Sequence, residues 1–437
     1  MGSKFLIDEQ TKKDIQLINS SRKNLFDFFN KTKTEGGDRL IGYLFYSPTT
    51  DIEEIRTRQS KIKRLLPFSN YNFNFDRLVL KDIDKFLASS DVLSLSKLNV
   101  LRITTPEYFY TKRSILEIID VLSNFNNLLS DVLELNQDED FNSFYIKSKF
   151  CLGKLLGGKK LKHGEIKINH FNINNFYENI HYELIEDLKS ILEFVYEIDC
   201  YLAIAKSVCG LTFCFPDLYP KGKTQTIDIR GLYNVFHQKP VANDILMTES
   251  TRNWFLTGPN MAGKSSLIKS ISVAIYLAQI GLPVPAVEMK ADILDGLFTS
   301  INLDDNMDLG YSHFFNEAIR LKEIIDKIDK RTNILIIFDE LFKGTNNKDV
   351  EQAIYEIMKY FGKSENLFTI VSSHVVELSD KLRNLDHIKF VKMNIERDNE
   401  GMPFFTYKIS EGVSYERLGK WLLNKSGVLD SFEKLLR

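Results

Sequence analysis

Apolar positions over roughly the first 225 residues recur at three- and four-residue spacing, the period of helices that bury one face. In "ELIEDLKSILEFVYEIDCYLAIAKSV", Leu184, Leu188, Ile191, Leu192, Val195 and Ile198 fall on one stripe, which predicts a long core-facing helix. "LFDFFNKT" shows the same spacing over a shorter span. Between about 100 and 180 the pattern is interrupted by the acidic "NQDED" and then by "KSKFCLGKLLGGKKLKHGEIK", whose glycines and lysines predict an exposed loop or helix tip. From about 225 the texture changes. Short β-branched or aromatic runs, "NWFLTGPN", "NILIIFDE" and "LFTIVSSH", alternate with helical patterns, which predicts a parallel sheet with helices packed on it. The expected organisation is a helical domain over 1–225 followed by an α/β domain over 226–437, with the boundary near "FPDLYPKGKTQT".

The α/β half carries the chemistry. "TGPNMAGKSS" fits GxxxxGK(S/T) through Gly258, Gly263, Lys264 and Ser265, with an apolar run before it and "SLIKSISVAIYLAQIG" after it. Strand, loop and helix in that order form a phosphate-binding loop. Glycines let backbone N–H groups turn toward phosphate oxygens, the helix N-terminus adds its positive end, and the lysine reaches the outer phosphates. Gly258, Pro259, Asn260, Met261, Ala262, Gly263, Lys264, Ser265 and Ser266 are therefore expected to hold ATP, with Ser265 also a ligand of Mg²⁺. About seventy-five residues on, "NILIIFDELFKGTN" brings Asp339 and Glu340 to the C-terminal end of a strand, where ligands of parallel sheets bind. Asp339 is expected to hold Mg²⁺ and Glu340 to deprotonate the attacking water. The third strand ends at His374, placed to sense or polarise the γ phosphate.

Composition narrows the class without adding chemistry. The 437 residues are 43% hydrophobic, with 32 Phe and 18 Tyr against 22 Gly and 10 Pro, as expected of long helices and filled cores rather than a disordered chain. A net charge of −2 gives no global attraction to nucleic acid, so any DNA contact needs a local patch. The richest run of cations holds Lys147, Lys149, Lys154, Lys159, Lys160, Lys162 and Lys167. Of these, Lys154, Lys159, Lys160 and Lys162 are the candidate DNA contacts, able to neutralise phosphates but not to read bases. The cysteines Cys151, Cys200, Cys209 and Cys214 form no CxxC pair and are expected to be buried thiols of a reducing compartment. No apolar run is long enough to span a bilayer and the first residues lack a signal-peptide core, so no membrane association and a cytoplasmic location are expected.

A phosphate loop, an Asp-Glu strand and a third strand ending in His form the set found in ATPases of the ATP-binding-cassette superfamily. Within that set the sequence resembles the MutS family of DNA mismatch-repair proteins. The resemblance rests on "TGPNMAGKSS", with Ala262 and Ser266 where Gly and Thr are usual, and on "LAQIGLPVPA" and "DDNMDLGYSHFFNE". Upstream it extends through "LIDEQTKKDIQLI" and "TKTEGGDRLIGYLFYSPTTDIEEIRTRQSKIKRL", with a glycine turn and the Arg58–Gln59 pair, and near the end through "FFTYKISEGVS". The resemblance implies an amino-terminal helical core and lever domain followed by a P-loop ATPase domain. It also implies a homodimer closed by ATP at composite sites, with Ser312 entering the partner's site and helical levers that act on DNA.

The chain departs from that pattern in places. It begins where the core domain begins, so the mismatch-reading and connector domains are expected to be absent, and any DNA binding is expected to be salt-dependent and nearly blind to mismatches. Phe176, Tyr177 and Glu178 copy the family's wedge tripeptide, but within a helical region, and are read as coincidence. Pro240 and Val241 stand where the family commonly stacks an aromatic residue on adenine, leaving the base contact open. The alternative function is an ATP-controlled regulatory or scaffold protein that acts on a protein partner without mismatch recognition.

Overall fold

The computed structural model describes residues 5–18, 23–72, 77–89, 105–135, 138–157, 166–301, 313–329, 332–342, 346–399, 402–416, 426–428, 431 and 435. Helices come first: α1 (Glu9–Asp14), α2 (Leu25–Phe29), α3 (Glu35–Tyr46), α4 (Ile52–Leu65) and α5 (Arg77–Ala88). They are followed by α6 (Pro106–Leu135), α7 (Glu139–Leu156), α8 (Ile173–Glu178) and α9 (Ile185–Val208). The strands are β1 (Asp217–Tyr219), β2 (Ile227–Leu232), β3 (Asn243–Met247), β4 (Asn253–Thr257), β5 (Glu288–Asp292), β6 (Gly296–Ser300), β7 (Ile334–Asp339), β8 (Leu367–Ser372), β9 (Ile388–Arg397) and β10 (Pro403–Glu411). Among them lie α10 (Lys264–Gln279), α11 (His313–Ile325), α12 (Asn347–Gly362) and α13 (Leu378–Leu382). The chain forms two compact units interleaved in sequence: Met1–Phe26, Ser47–Gln59 and Gly210–Arg437 make one, and Asp27–Tyr46 and Ser60–Cys209 the other. The change of pattern in the sequence, by contrast, falls at about 225.

In the helical unit α9 is the axis. The stripe seen in its sequence is buried throughout, but so are Phe194, Tyr196, Asp199, Cys200, Tyr201 and Ala203, so the helix is covered on nearly every side rather than along one face. The reason is that α3, α5 and α7 all pack on it. Phe144 stacks on Phe194 at 3.9 Å, with Phe141 and Phe125 edge-on to the same ring at 5.5 and 5.9 Å. The expected glycine turn is instead the first turn of α3, where Gly36 and Gly37 permit close approach to α9. A Cβ on Gly36 would lie 2.2 Å from the Tyr196 ring, and one on Gly37 2.4 Å from Asp199 Oδ2. Asp199, buried, accepts hydrogen bonds from the Thr34 backbone N–H (2.8 Å) and hydroxyl (2.7 Å), pinning the start of α3.

The lysine-rich stretch expected as a loop or tip is helical as far as Leu156, and Gly157 then closes α7 in the left-handed conformation. Phe176, Tyr177 and Glu178 lie at the end of α8, where Tyr177 is buried and stacks on His181 at 4.2 Å. Of the four cysteines, Cys151 and Cys200 are buried, and burial pushes the Cys151 thiol up to about 11. Cys209 is exposed and Cys214 half-buried, which corrects the expectation of four buried thiols. Among the described residues no helix is long and apolar enough to cross a membrane.

The other unit is built on a six-stranded sheet in the order β10-β9-β4-β8-β7-β6, parallel except where β10 pairs antiparallel with β9. Every residue of β4, β6, β7 and β8 is buried, as a parallel sheet covered on both faces requires. Val350, Ile354, Met358 and Phe361 line one face of α12 and join Ile334, Ile336 and Phe338 in the core. A second sheet, β1-β5-β2-β3, stands beside it.

Two sequence segments far from this sheet in number belong to its unit. Leu6 bridges to Gly296 on the edge strand β6, and Thr299 donates through its backbone N–H to the Thr11 hydroxyl and through its own hydroxyl to Asp14 Oδ2 of α1. Arg320 grips Asp8 with both terminal nitrogens, at 2.6 and 3.0 Å. Arg58 donates to the carbonyl of Ile280 at the end of α10, and Gln59 to the carbonyl of Pro216 at 3.1 Å.

The Asp8–Arg320 pair carries a prediction. Burial acts to raise the Asp8 pKa, but the Arg320 guanidinium and the Thr11 donors outweigh it and hold the carboxyl below its ordinary value. A depressed carboxylate adds stability above its unfolded-state pKa and loses it as pH falls through the folded one. Asp8→Asn should therefore lower unfolding stability at pH 7 by about 2 kcal/mol, because the buried Arg320 loses its bidentate carboxylate partner and is left with the more distant Glu323 at 3.9 Å. The difference from wild type, measured by urea unfolding, should shrink below about pH 4.

Candidate nucleotide site

The loop from Gly258 to Gly263 runs from the end of β4 into α10, as the run of apolar residues on either side requires. Two of its glycines lie in the left-handed region, Gly258 at φ +151° and Gly263 at φ +102°. A Cβ on Gly263 would also come within 3.1 Å of the Tyr407 ring, so both backbone angle and packing call for glycine there. Ala262, where glycine is usual in the resemblance, is buried and accommodated. Lys264 is only 4% exposed, and its Nζ donates to the carbonyls of Gly258 (2.8 Å) and Pro259 (3.3 Å).

The neighbouring strands bring the acidic residues to the same end of the sheet. Asp339 closes β7 and is buried. Glu340 follows in the left-handed conformation at φ +58°, as does Phe342 at φ +66°, so the turn after β7 holds two strained non-glycine residues. Phe342 is stacked on Phe314 of α11 at 4.5 Å, which anchors the turn. Glu340 Oε1 lies 3.9 Å from Lys264 Nζ and is hydrogen-bonded to His374 Nε2.

Ser372, the last residue of β8, connects the two acidic positions. Its hydroxyl donates to Asp339 Oδ1 and accepts from the Glu340 backbone N–H at 3.1 Å. It went unremarked in the sequence because a serine in "IVSSH" has no special spacing; only strand register, which pairs Asp339 with Ser372, reveals it.

Lys264 and Glu340 border a cavity of about 530 Å³ that Asn260, Met261, Ser265 and Ser266 also line. Its far wall consists of residues that sequence reasoning passed over. Tyr233, Asn234, His237 and Lys239 come from the segment between β2 and β3, and Tyr407 from a bulge in β10. Tyr407 sits at φ +57°, and Asn243 spans its bulge, donating to the Tyr407 carbonyl and accepting from Ile409 N, each at 2.9 Å. Pro240 and Val241 line the cavity too, together with the aromatic residues Tyr233 and Tyr407.

The hydroxyl of Ser265 and the carboxylate of Asp339 are hard oxygen donors of the kind Mg²⁺ takes. Two protein ligands suit an ion that keeps its waters and binds phosphates. Among the described residues no group of three or more His, Cys, Asp or Glu could hold a metal by itself. Of the remaining predicted positions, Ser312, Lys159, Lys160 and Lys162 lie outside the described residues. Lys154 lies on α7 in the helical unit, its Nζ 3.0 Å from Glu183.

Sheet, loop and acidic turn together define a phosphate-loop nucleotide-binding domain that accompanies a helical domain. Comparison with known proteins makes the assignment specific: residues 8–205 match MutS domain III and residues 254–430 match MutS domain V. The chain belongs to the MutS family, and its α/β region is the family's ATPase domain. The DNA mismatch repair protein MutS of Thermosipho melanesiensis is 24% identical over 98% of this chain and 63% of its own length. The DNA mismatch repair protein MSH3 of Candida glabrata is 30% identical over 55% of the chain and 24% of its own length. MutS of Aquifex pyrophilus is 34% identical over 40% and 20%. The chain thus spans less than two thirds of the length of these relatives.

Proposed function

We propose that this protein binds ATP with Mg²⁺ in the cavity beside Lys264, hydrolyses it at sites completed by a second copy, and couples the cycle to DNA binding. The observation that carries this reading is the meeting of Lys264 and Glu340 at one border of the cavity, with Glu340 Oε1 3.9 Å from Lys264 Nζ and bonded to His374 behind it. Lys264 exchanges its loop carbonyls for the β and γ phosphates. Ser265 and Asp339 hold Mg²⁺, which when bound neutralises phosphate charge. Glu340 takes the proton of the attacking water, and His374 orients its carboxylate. The link to DNA rests on the relatives, which are named DNA mismatch repair proteins.

Two measurements test this. ATP turnover should be measurable in the purified protein, and a titration of matched, mismatched and branched duplexes with and without ATP, at two salt concentrations, should show nucleotide-dependent binding. Absence of binding to every duplex would remove the DNA part of the proposal. For the composite site, Glu340→Gln protein should sediment with more dimer in ATP and Mg²⁺ than in buffer. A monomer under both conditions would contradict it.

One observation favours a second reading, in which ATP controls a protein partner. Two lysines of the candidate DNA run already face carboxylates, Lys154 with Glu183 at 3.0 Å and Lys147 with Asp187 at 3.7 Å, which lessens the positive charge they offer to phosphate. The same titration separates the readings.

A further inference from the structure

We propose that His237, held by Asn234 against the first turn of α10, is a further phosphate ligand of the nucleotide site, acting on the phosphate next to the nucleoside. This rests on the reading of the cavity as an ATP site. Ser266, one residue beyond the magnesium-ligating Ser265, has a hydroxyl with two partners from the segment between β2 and β3. Asn234 Nδ2 donates to it at 3.0 Å and His237 Nε2 lies 3.2 Å away.

The segment is built to hold that arrangement. Asn234 Oδ1 accepts from the Phe236 backbone N–H at 3.0 Å, the Asn234 carbonyl accepts from His237 N at 3.2 Å, and Tyr233 N is tied to the Pro285 carbonyl at 3.1 Å. The result is a closed turn with its asparagine side chain at the root.

Hydrogen-bond capacity then dictates the chemistry. An amide nitrogen only donates, so Asn234 occupies a lone pair of Ser266 Oγ and leaves the serine O–H to be given elsewhere. In the neutral imidazole tautomer that carries its proton on Nδ1, His237 Nε2 is the acceptor for that proton. An anionic oxygen that approaches Ser266 offers a stronger acceptor, and the imidazole, with its proton moved to Nε2, becomes a second donor to it. His237 lines the cavity together with Ser266 and Lys239, so the donors face ligand space. The terminal phosphate lies at the border marked by Lys264 and Glu340. Ser266 instead turns its hydroxyl to the opposite segment, which leaves it and His237 the α phosphate, one that ATP and ADP both carry.

That sharing gives the test, made by calorimetric titration of the full chain with ATP and with ADP. His237→Ala should weaken both nucleotides by the same factor, about fivefold, as expected of one charge-assisted hydrogen bond at a partly exposed position. His237→Gln, which retains an N–H donor, should recover affinity to within roughly twofold of wild type. The nucleotide-free melting temperature should be unchanged in both variants. If His237→Ala binds ATP and ADP as wild type does, His237 is not a ligand, while the ATP-site reading stands. If His237→Gln fails to recover affinity and the nucleotide-free melting temperature falls in both variants, the residue merely props the segment and the inference is overturned. A wild-type chain that binds neither nucleotide would instead overturn the ATP site on which the inference rests.

Discussion

Glu340→Gln should bind ATP with near wild-type affinity yet hydrolyse it at least about a hundredfold more slowly, within the range a general base contributes. The substitution retains side-chain length and a hydrogen-bonding partner for His374, and glutamine tolerates the φ of +58° as well as glutamate does. What it removes is the basic oxygen. Asp339 cannot substitute, because its carboxylate is buried and holds the Ser372 hydroxyl. Single-turnover measurement of phosphate release alongside equilibrium ATP binding reads the two effects separately. Unchanged turnover would remove Glu340 from the mechanism, and equal loss of binding and turnover would make it a structural residue of the strained turn.

The second large effect is expected at Lys264. Lys264→Ala should weaken ATP binding by a hundredfold or more, about 2.7 kcal/mol, because no other cationic side chain among the described residues lining the cavity lies beside Glu340 to meet the outer phosphates. ADP, with one phosphate fewer for the ammonium to meet, should lose less. This inequality contrasts with the equal losses expected at His237, so the two residues are separable by one pair of titrations. The nucleotide-free fold should persist, since the hydrogen bonds Lys264 gives to Gly258 and Pro259 go to loop carbonyls rather than to the sheet. ATP binding by Lys264→Ala as tight as by wild type would show that the loop does not hold the β and γ phosphates.

The segments that sequence alone made legible are those whose physics is local. β4, β7 and β8 lie where "NWFL", "NILIIFD" and "LFTIVS" place them, because runs of β-branched and aromatic residues bounded by turn residues have few other ways to be buried. The phosphate loop was readable for a related reason: its two glycines have left-handed backbones that few other residues adopt, so the chemistry constrains the letters. Lys264, Asp339, Glu340 and His374 were named from position at strand and helix ends, where a parallel sheet gathers its ligands.

Other features depended on residues far apart in number. Ser372 touches both Asp339 and Glu340 only through strand register, and Asn243 shapes the Tyr407 bulge only because β3 passes beside β10. The helix α9 read as one-sided from its stripe and is covered almost all round, because sequence periodicity shows which face prefers burial and not how many neighbours arrive. Asp8, Thr11 and Asp14 fall in the stretch read as part of the amino-terminal helical domain, yet they are bonded to Thr299 and Arg320 in the unit that holds the ATPase sheet. Sequence by itself determined the parallel ATPase sheet, its phosphate loop and its acidic strand end, since each follows from short-range backbone and burial preferences. Tertiary structure alone decided the far wall of the cavity, the partners of the buried charges and the interleaving of the two units, since each is a pairing between segments whose separation along the chain leaves no local trace.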